Sequence, residues 1–149
     1  MLYDASVGGR GYCGPTVLAA ITGLTVPFIE ARIKQDRGSD RPVVGTYASE
    51  LERVLWKLGY RMVKDRQLVD REAPARKVGW RCTRLPTLAQ WLKRERDMGA
   101  AYILALDRHW VVVKGRWFVD THTKGLPVRA TKAPGRRRLV RTAWKVVRG

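Results

Sequence analysis

The sequence predicts an α+β fold, a helical N-terminal half packed on a C-terminal antiparallel sheet. Two patterns point there. Leu51, Val54, Leu55 and Leu58 stand at i, i+3, i+4 and i+7, the stripe of a helix that buries one face. Two runs rich in Val, Trp and Phe flank Lys114-Gly115, which reads as a β-hairpin. A chain of 149 residues is long enough to bury a core without disulfide staples, and residues 1–149 read as one domain with a basic C-terminal segment over 121–149.

The elements follow in order. A glycine-rich run leads to Cys13, Pro15 fits a first helical turn, Val17, Leu18 and Ile21 give the buried face, and Gly23 ends the helix. Thr25 caps a helix over 26–35 with Pro27 in its first turn, and residues 37–41 form a polar loop. The 51–58 stripe closes at Gly59, and residues 60–63 suit a short strand. Residues 65–84 read as a charged connection around Pro74 and Gly79. Thr87 with Gln90 forms a capping box for a helix through Arg96 that Gly99 ends. Residues 101–106, 110–113 and 117–121, with segments inside 128–132 and 139–147, supply the sheet. The tryptophans suit core and sheet packing better than a base-stacking platform.

Three residues carry chemistry. Cys13 at a helix N-terminus meets unpaired backbone N–H groups and the positive end of the dipole, both of which favour thiolate. With Lys114-Gly115 as the loop, His109 faces Asp120 on one side of the hairpin. Slipping the loop by one residue at each end pairs Val111 with Asp120 and His109 with His122, still on that side. His109 is the candidate base, Asp120 its orienter and His122 a rival base, while Cys82 has no comparable setting.

Cys13-Gly14-Pro15-Thr16 heading a helix, the segment from Gly45 to Leu55 with Leu58-Gly59-Tyr60 after it, and His109-Trp110-Val111-Val112-Val113 before Val119-Asp120 resemble the small papain-like cysteine peptidases. The pattern is similar to the bacteriocin-processing double-glycine peptidases. Pro86-Thr87-Leu88-Ala89-Gln90-Trp91-Leu92 and Asp120-Thr121-His122-Thr123 also resemble short papain-like proteins of tailed bacteriophages. The likeness spans residues 3 to 128 by element order. It implies a papain-like fold, a peptide or protein substrate, and a triad of Cys13 nucleophile, His109 base and Asp120 orienter. The family usually places a Gln before the nucleophile as an oxyanion donor, whereas residues 4–12 contain none. Ser6 and Arg10 are the candidate replacements. Loss of such a donor costs about 10²–10³ in turnover, which keeps open a catalytically degenerate virion structural or interaction protein that binds DNA or other phage proteins.

Charge sets the second constraint. Thirty Lys and Arg against thirteen Asp and Glu give +17, which implies anionic partners such as DNA or another polyanion. After Asp120 there are nine basic residues and no acidic one. Arg136, Arg137, Arg138, Arg141 and Lys145 are therefore the candidate nucleic-acid contacts. Two cysteines make no disulfide framework, and two Cys with two His lack zinc-finger spacing, so neither a metal nor a cofactor is expected. With no secretory signal or transmembrane run, the expected location is the cytoplasm of the producing cell, with virion association open.

Overall fold

A computed structural model describes residues 1–69 and 74–149. The fold is α+β. In chain order the elements are α1 (Cys13–Thr22), α2 (Val26–Arg37), α3 (Ala48–Lys57), β1 (Tyr60–Lys64), β2 (Arg76–Val78), β3 (Arg81–Thr83), α4 (Leu88–Leu92), β4 (Ala101–Leu106), β5 (His109–Lys114), β6 (Trp117–Val119), β7 (Val128–Arg129) and β8 (Thr142–Arg148). Six strands form one antiparallel sheet in the order β1-β8-β4-β5-β6-β7, and β2 pairs with β3 in a separate ribbon.

Period-two alternation puts apolar side chains on both faces of the central strands. Ala101, Ile103, Val112 and Val119 pack with Val17, Leu18, Ile29, Ile33, Leu51 and Leu55 of the three N-terminal helices. Leu104, Leu106, Val111, Val113 and Phe118 face the other way, onto Leu88 and Trp91 of α4 and onto Ala130, Ala133 and Val140. The helical half thus covers one face, and the C-terminal segment covers much of the other.

Several expectations hold. Thr25 Oγ1 accepts the Phe28 N–H and caps α2, and Thr87 with Gln90 makes the reciprocal capping box. Other boundaries move for identifiable reasons. Helix α2 runs on to Arg37, into the stretch expected to be loop. Helix α4 stops at Leu92, not Arg96. There the Lys93 and Arg94 N–H groups turn back to the Gln90 and Trp91 carbonyls, and the Arg96 guanidinium takes the Leu92 carbonyl that another turn would need. Residues 76–78 and 81–83 form a ribbon inside the expected connection, of which residues 70–73 lie outside the described residues. The strand expected within 128–132 ends after Arg129 in a 3₁₀ turn over Ala130–Lys132. The last strand begins only at Thr142, because backbone groups of Arg136, Arg138 and Val140 bond residues 86–89 instead.

Candidate thiol site

Cys13 is the first residue of α1. Tyr12, extended at φ −75° and ψ 174°, ends the run-in without a side-chain cap, so the first turn offers its N–H groups elsewhere. Thr16 secures that turn by donating its N–H and its hydroxyl to the Tyr12 carbonyl, at 3.1 and 2.9 Å. Gly14 lets a neighbouring loop come close. A Cβ at Gly14 would overlap the Thr46 hydroxyl and lie 2.9 and 3.0 Å from Thr46 Cγ2 and Cβ. That loop is anchored by Glu50, whose carboxylate binds the Arg37 guanidinium and the Tyr47 N–H, while Arg37 also donates to the Gly45 carbonyl. The Arg37 guanidinium holds the buried Glu50 below the usual carboxylate range despite its desolvation.

His109 opens β5 directly after the two-residue Asp107-Arg108 turn, opposite Leu106. Arg108 adopts a left-handed φ of 53°, uncommon for a residue with a Cβ, and this turn sets where the imidazole starts. The β5–β6 register pairs Val113 with Phe118 and Lys114 with Trp117. The loop is therefore Gly115-Arg116, the slipped alternative, and the Lys114-Gly115 loop with His109 directly opposite Asp120 is corrected. Gly115 has φ 59° at the first loop position, where a II′ turn requires glycine.

The correction leaves the shared face intact. Asp120 follows β6, and its Oδ2 lies 2.9 Å from His109 Nε2. Its Oδ1 accepts the Thr123 N–H at 2.9 Å, and its own N–H donates to Thr123 Oγ1. This carboxylate is 1% exposed and has a partner on each oxygen, so its orientation is fixed. With Nε2 engaged, Nδ1 is the ring nitrogen left to face the thiol.

The Cys13 thiol and the His109 imidazole are neighbours that act on each other's ionisation. Burial pushes the Cys13 thiol up. The His109 ring, the Trp110 N–H, the imidazolium charge and the Gly14 N–H outweigh it, and the net shift is down. Burial likewise opposes charge on His109, but Asp120 and then Cys13 overcome it and raise His109 to about 9. Opposite shifts on two neighbouring groups favour a thiolate–imidazolium pair near neutral pH.

The other expected residues distribute differently. Ser6 spends its hydroxyl proton on Asp4 Oδ1 at 2.5 Å, so it has none left for an oxyanion. Arg10 is exposed in the run-in to α1. His122 is exposed with its ring 4.9 Å from that of His109. The ligand atoms of His109, Asp120 and His122 lie within 4.8 Å of one another, a donor set that the cysteine and histidine spacing did not suggest. Cys82 is an exposed free thiol in β3.

Three contributors had no sequence assignment. Thr123 orients Asp120; the Trp110 backbone N–H supports the thiol, while its Nε1 binds the Thr46 carbonyl; and Thr46 packs on Gly14. The Asp120-Thr121-His122-Thr123 spacing carried the signal for the first, since Asp with Thr three residues on closes a side-chain-locked turn. For Trp110 and Thr46 no local signal exists.

The proposed basic contacts are largely engaged within the chain. Arg136 binds the Ala130 and Thr131 carbonyls, Arg138 binds the Asp107 carbonyl, Arg141 pairs with Asp107 and Lys145 with Asp97. Among the described residues no single helix is long and apolar enough to cross a membrane. Comparison with protein-family models, curated proteins and solved structures gave no match.

Proposed function

We propose that this chain is a thiol-dependent acyl-transfer hydrolase of papain-like type that cleaves peptide or isopeptide bonds. The observation that carries this reading is the line from Cys13 at a helix start, through the neighbouring His109 that lowers its thiol, to a buried Asp120 held 2.9 Å from the imidazole. In this mechanism the thiolate attacks a substrate carbonyl carbon and forms a C–S bond. The oxyanion meets the Cys13 N–H, which has no acceptor within its helix. As the tetrahedral intermediate collapses, the C–N bond breaks and the leaving amine takes the His109 proton. His109, now neutral, removes a proton from water, the hydroxide attacks the thioester, and the acid product leaves with the thiolate restored. Asp120 holds the tautomer and steadies the imidazolium throughout.

A second reading is a catalytically degenerate scaffold that binds DNA or virion components. It draws on the charge of +17 and on Ser6 being tied to Asp4. A peptide electrophile directed at thiols separates the two. The hydrolase should be labelled stoichiometrically at Cys13, with labelling lost in His109→Ala under native conditions. A folded protein left unlabelled at Cys13 rejects the hydrolase and leaves the binding role.

A further inference from the structure

Between α4 and the β6–β7 edge lies an open cleft of about 620 Å³ whose lining includes the basic side chains of Lys93, Arg94, Arg96, Arg116, Arg129 and Arg136. Among the described residues no carboxylate lines it, and of the six only Arg94 has an acidic partner, Asp65 at 3.8 Å. Like charges gathered from four stretches of chain repel one another, a cost that a bound anion would remove. Arg96 is the most constrained. Its two terminal nitrogens bond the Leu92 and Gly115 carbonyls, while its buried Nε has no partner among the described residues. Burial is the main influence on this guanidinium and works against its charge, so a partly covered cation sits at the cleft.

The remaining lining is Ala89, Leu92, Met98 and Ala130, apolar side chains, with Thr131 the one hydroxyl among them. That composition narrows the ligand. Sites for single-stranded nucleic acid pair a basic groove with open aromatic faces on which bases stack. Among the described residues no aromatic ring lines the cleft, and a guanidinium covers each neighbouring tryptophan, Arg96 over Trp91 at 5.2 Å and Arg129 over Trp117 at 4.7 Å. Guanidinium forks suit carboxylates, and a flexible methionine beside a leucine suits an aliphatic side chain.

We propose that this cleft binds an acidic peptide segment, its carboxylates on the basic rim and one apolar side chain against Leu92 and Met98. The proposal goes beyond the thiol chemistry and does not rest on it. His109 and the Gly115-Arg116 turn stand at opposite ends of β5, about 20 Å apart by the strand rise. The site is therefore separate from the thiol centre.

The test is fluorescence anisotropy on the full chain with a labelled acidic hexapeptide carrying one central leucine. Saturable binding that weakens with salt is expected. Lys93→Glu with Arg116→Glu, both exposed and without acidic partners among the described residues, should weaken it about tenfold or more. Arg137→Glu, outside the lining, should change it little, and Met98→Asn should erase the advantage over an all-acidic hexapeptide. Cys13→Ala should leave binding unchanged, so this result stands or falls apart from the hydrolase. Unaltered peptide affinity in the folded double variant overturns the proposal. So does tighter binding, through the same two cations, of an oligothymidylate of equal charge or of phosphatidylglycerol vesicles.

Discussion

His109 and Asp120 meet diagonally across the β5–β6 hairpin, with Nε2 and Oδ2 2.9 Å apart, two residues out of direct opposition in a register that points His109 toward His122. A diagonal contact needs one side chain to lean along the strands, and the Asp120–Thr123 turn holds the carboxylate in that lean. The two neighbours of His109 therefore have distinct expected roles. Asp120→Asn should lower kcat on the order of 10²-fold or more while the fold persists, because the imidazole loses its anionic orienter. His122→Ala should retain most activity. Kinetics showing the reverse order of damage would make His122 the working partner.

Thiol activation is separable from turnover. Cys13 is partly covered and shifted down by the neighbouring His109, whereas Cys82 is an exposed free thiol. If the pair ionises as described, the ratio of Cys13 to Cys82 alkylation should rise as pH falls from about 8.5 to about 6. His109→Ala should remove that rise. Peptide mapping after brief iodoacetamide treatment measures both sites in one sample, and a ratio independent of pH would show that Cys13 is not activated.

Sequence patterns made the face of this site legible but not its register. Alternation of Val111, Val113 and Phe118 fixes which side chains share a face, and sliding the turn by one residue at each end preserves that face, so only the turn geometry at Gly115 chooses. The start of α1 was legible because Gly, Cys and Pro signal helix entry locally. Thr46 was not, since its contact with Gly14 spans the loop after α2 and depends on the Arg37–Glu50 pair. The basic cleft was missed for the same reason. A charge run draws attention to residues 136–138, yet folding gathers Lys93, Arg116 and Arg129 around Arg136 and turns Arg138 onto the Asp107 carbonyl.

Stability should carry a signature of the ion pair. His109, raised to about 9, contributes stability that is fully present below its unfolded value near 6.5 and is lost as pH rises through about 9. Cys13, shifted down, works in the opposite direction, gaining stability as pH rises toward its unfolded value. Where the folded pair is ionised and the unfolded pair is neutral, each state binds one proton, so the two dependences offset. Wild-type stability should be nearly flat between about pH 7 and 8.5. Cys13→Ala removes one side of that balance, and His109 bound to Asp120 should then make stability fall with pH by on the order of 1–2 kcal/mol. Urea unfolding across that range reads the slope, and equal slopes in the two proteins would count against a charged pair.

Close approach of the 43–47 loop to the helix start supplies the last prediction. Gly14→Ala would drive a methyl group into Thr46, whose neighbours are pinned through Glu50, so relief has to come from displacing either the loop or the first turn of α1. A stability loss of about 1–3 kcal/mol is expected, with a fall in activity because the Gly14 N–H supports the thiol. Adding Thr46→Ala should recover part of both. Thr46→Val alone keeps the shape and removes a buried hydroxyl that has no partner among the described residues, so it should be neutral or stabilising by up to about 1 kcal/mol with activity unchanged. Thermal unfolding and single-turnover labelling of the four proteins distinguish packing from chemistry. If Thr46→Val folds normally but loses turnover, the hydroxyl serves the reaction, and Thr46 would then be the missing side-chain donor to the oxyanion.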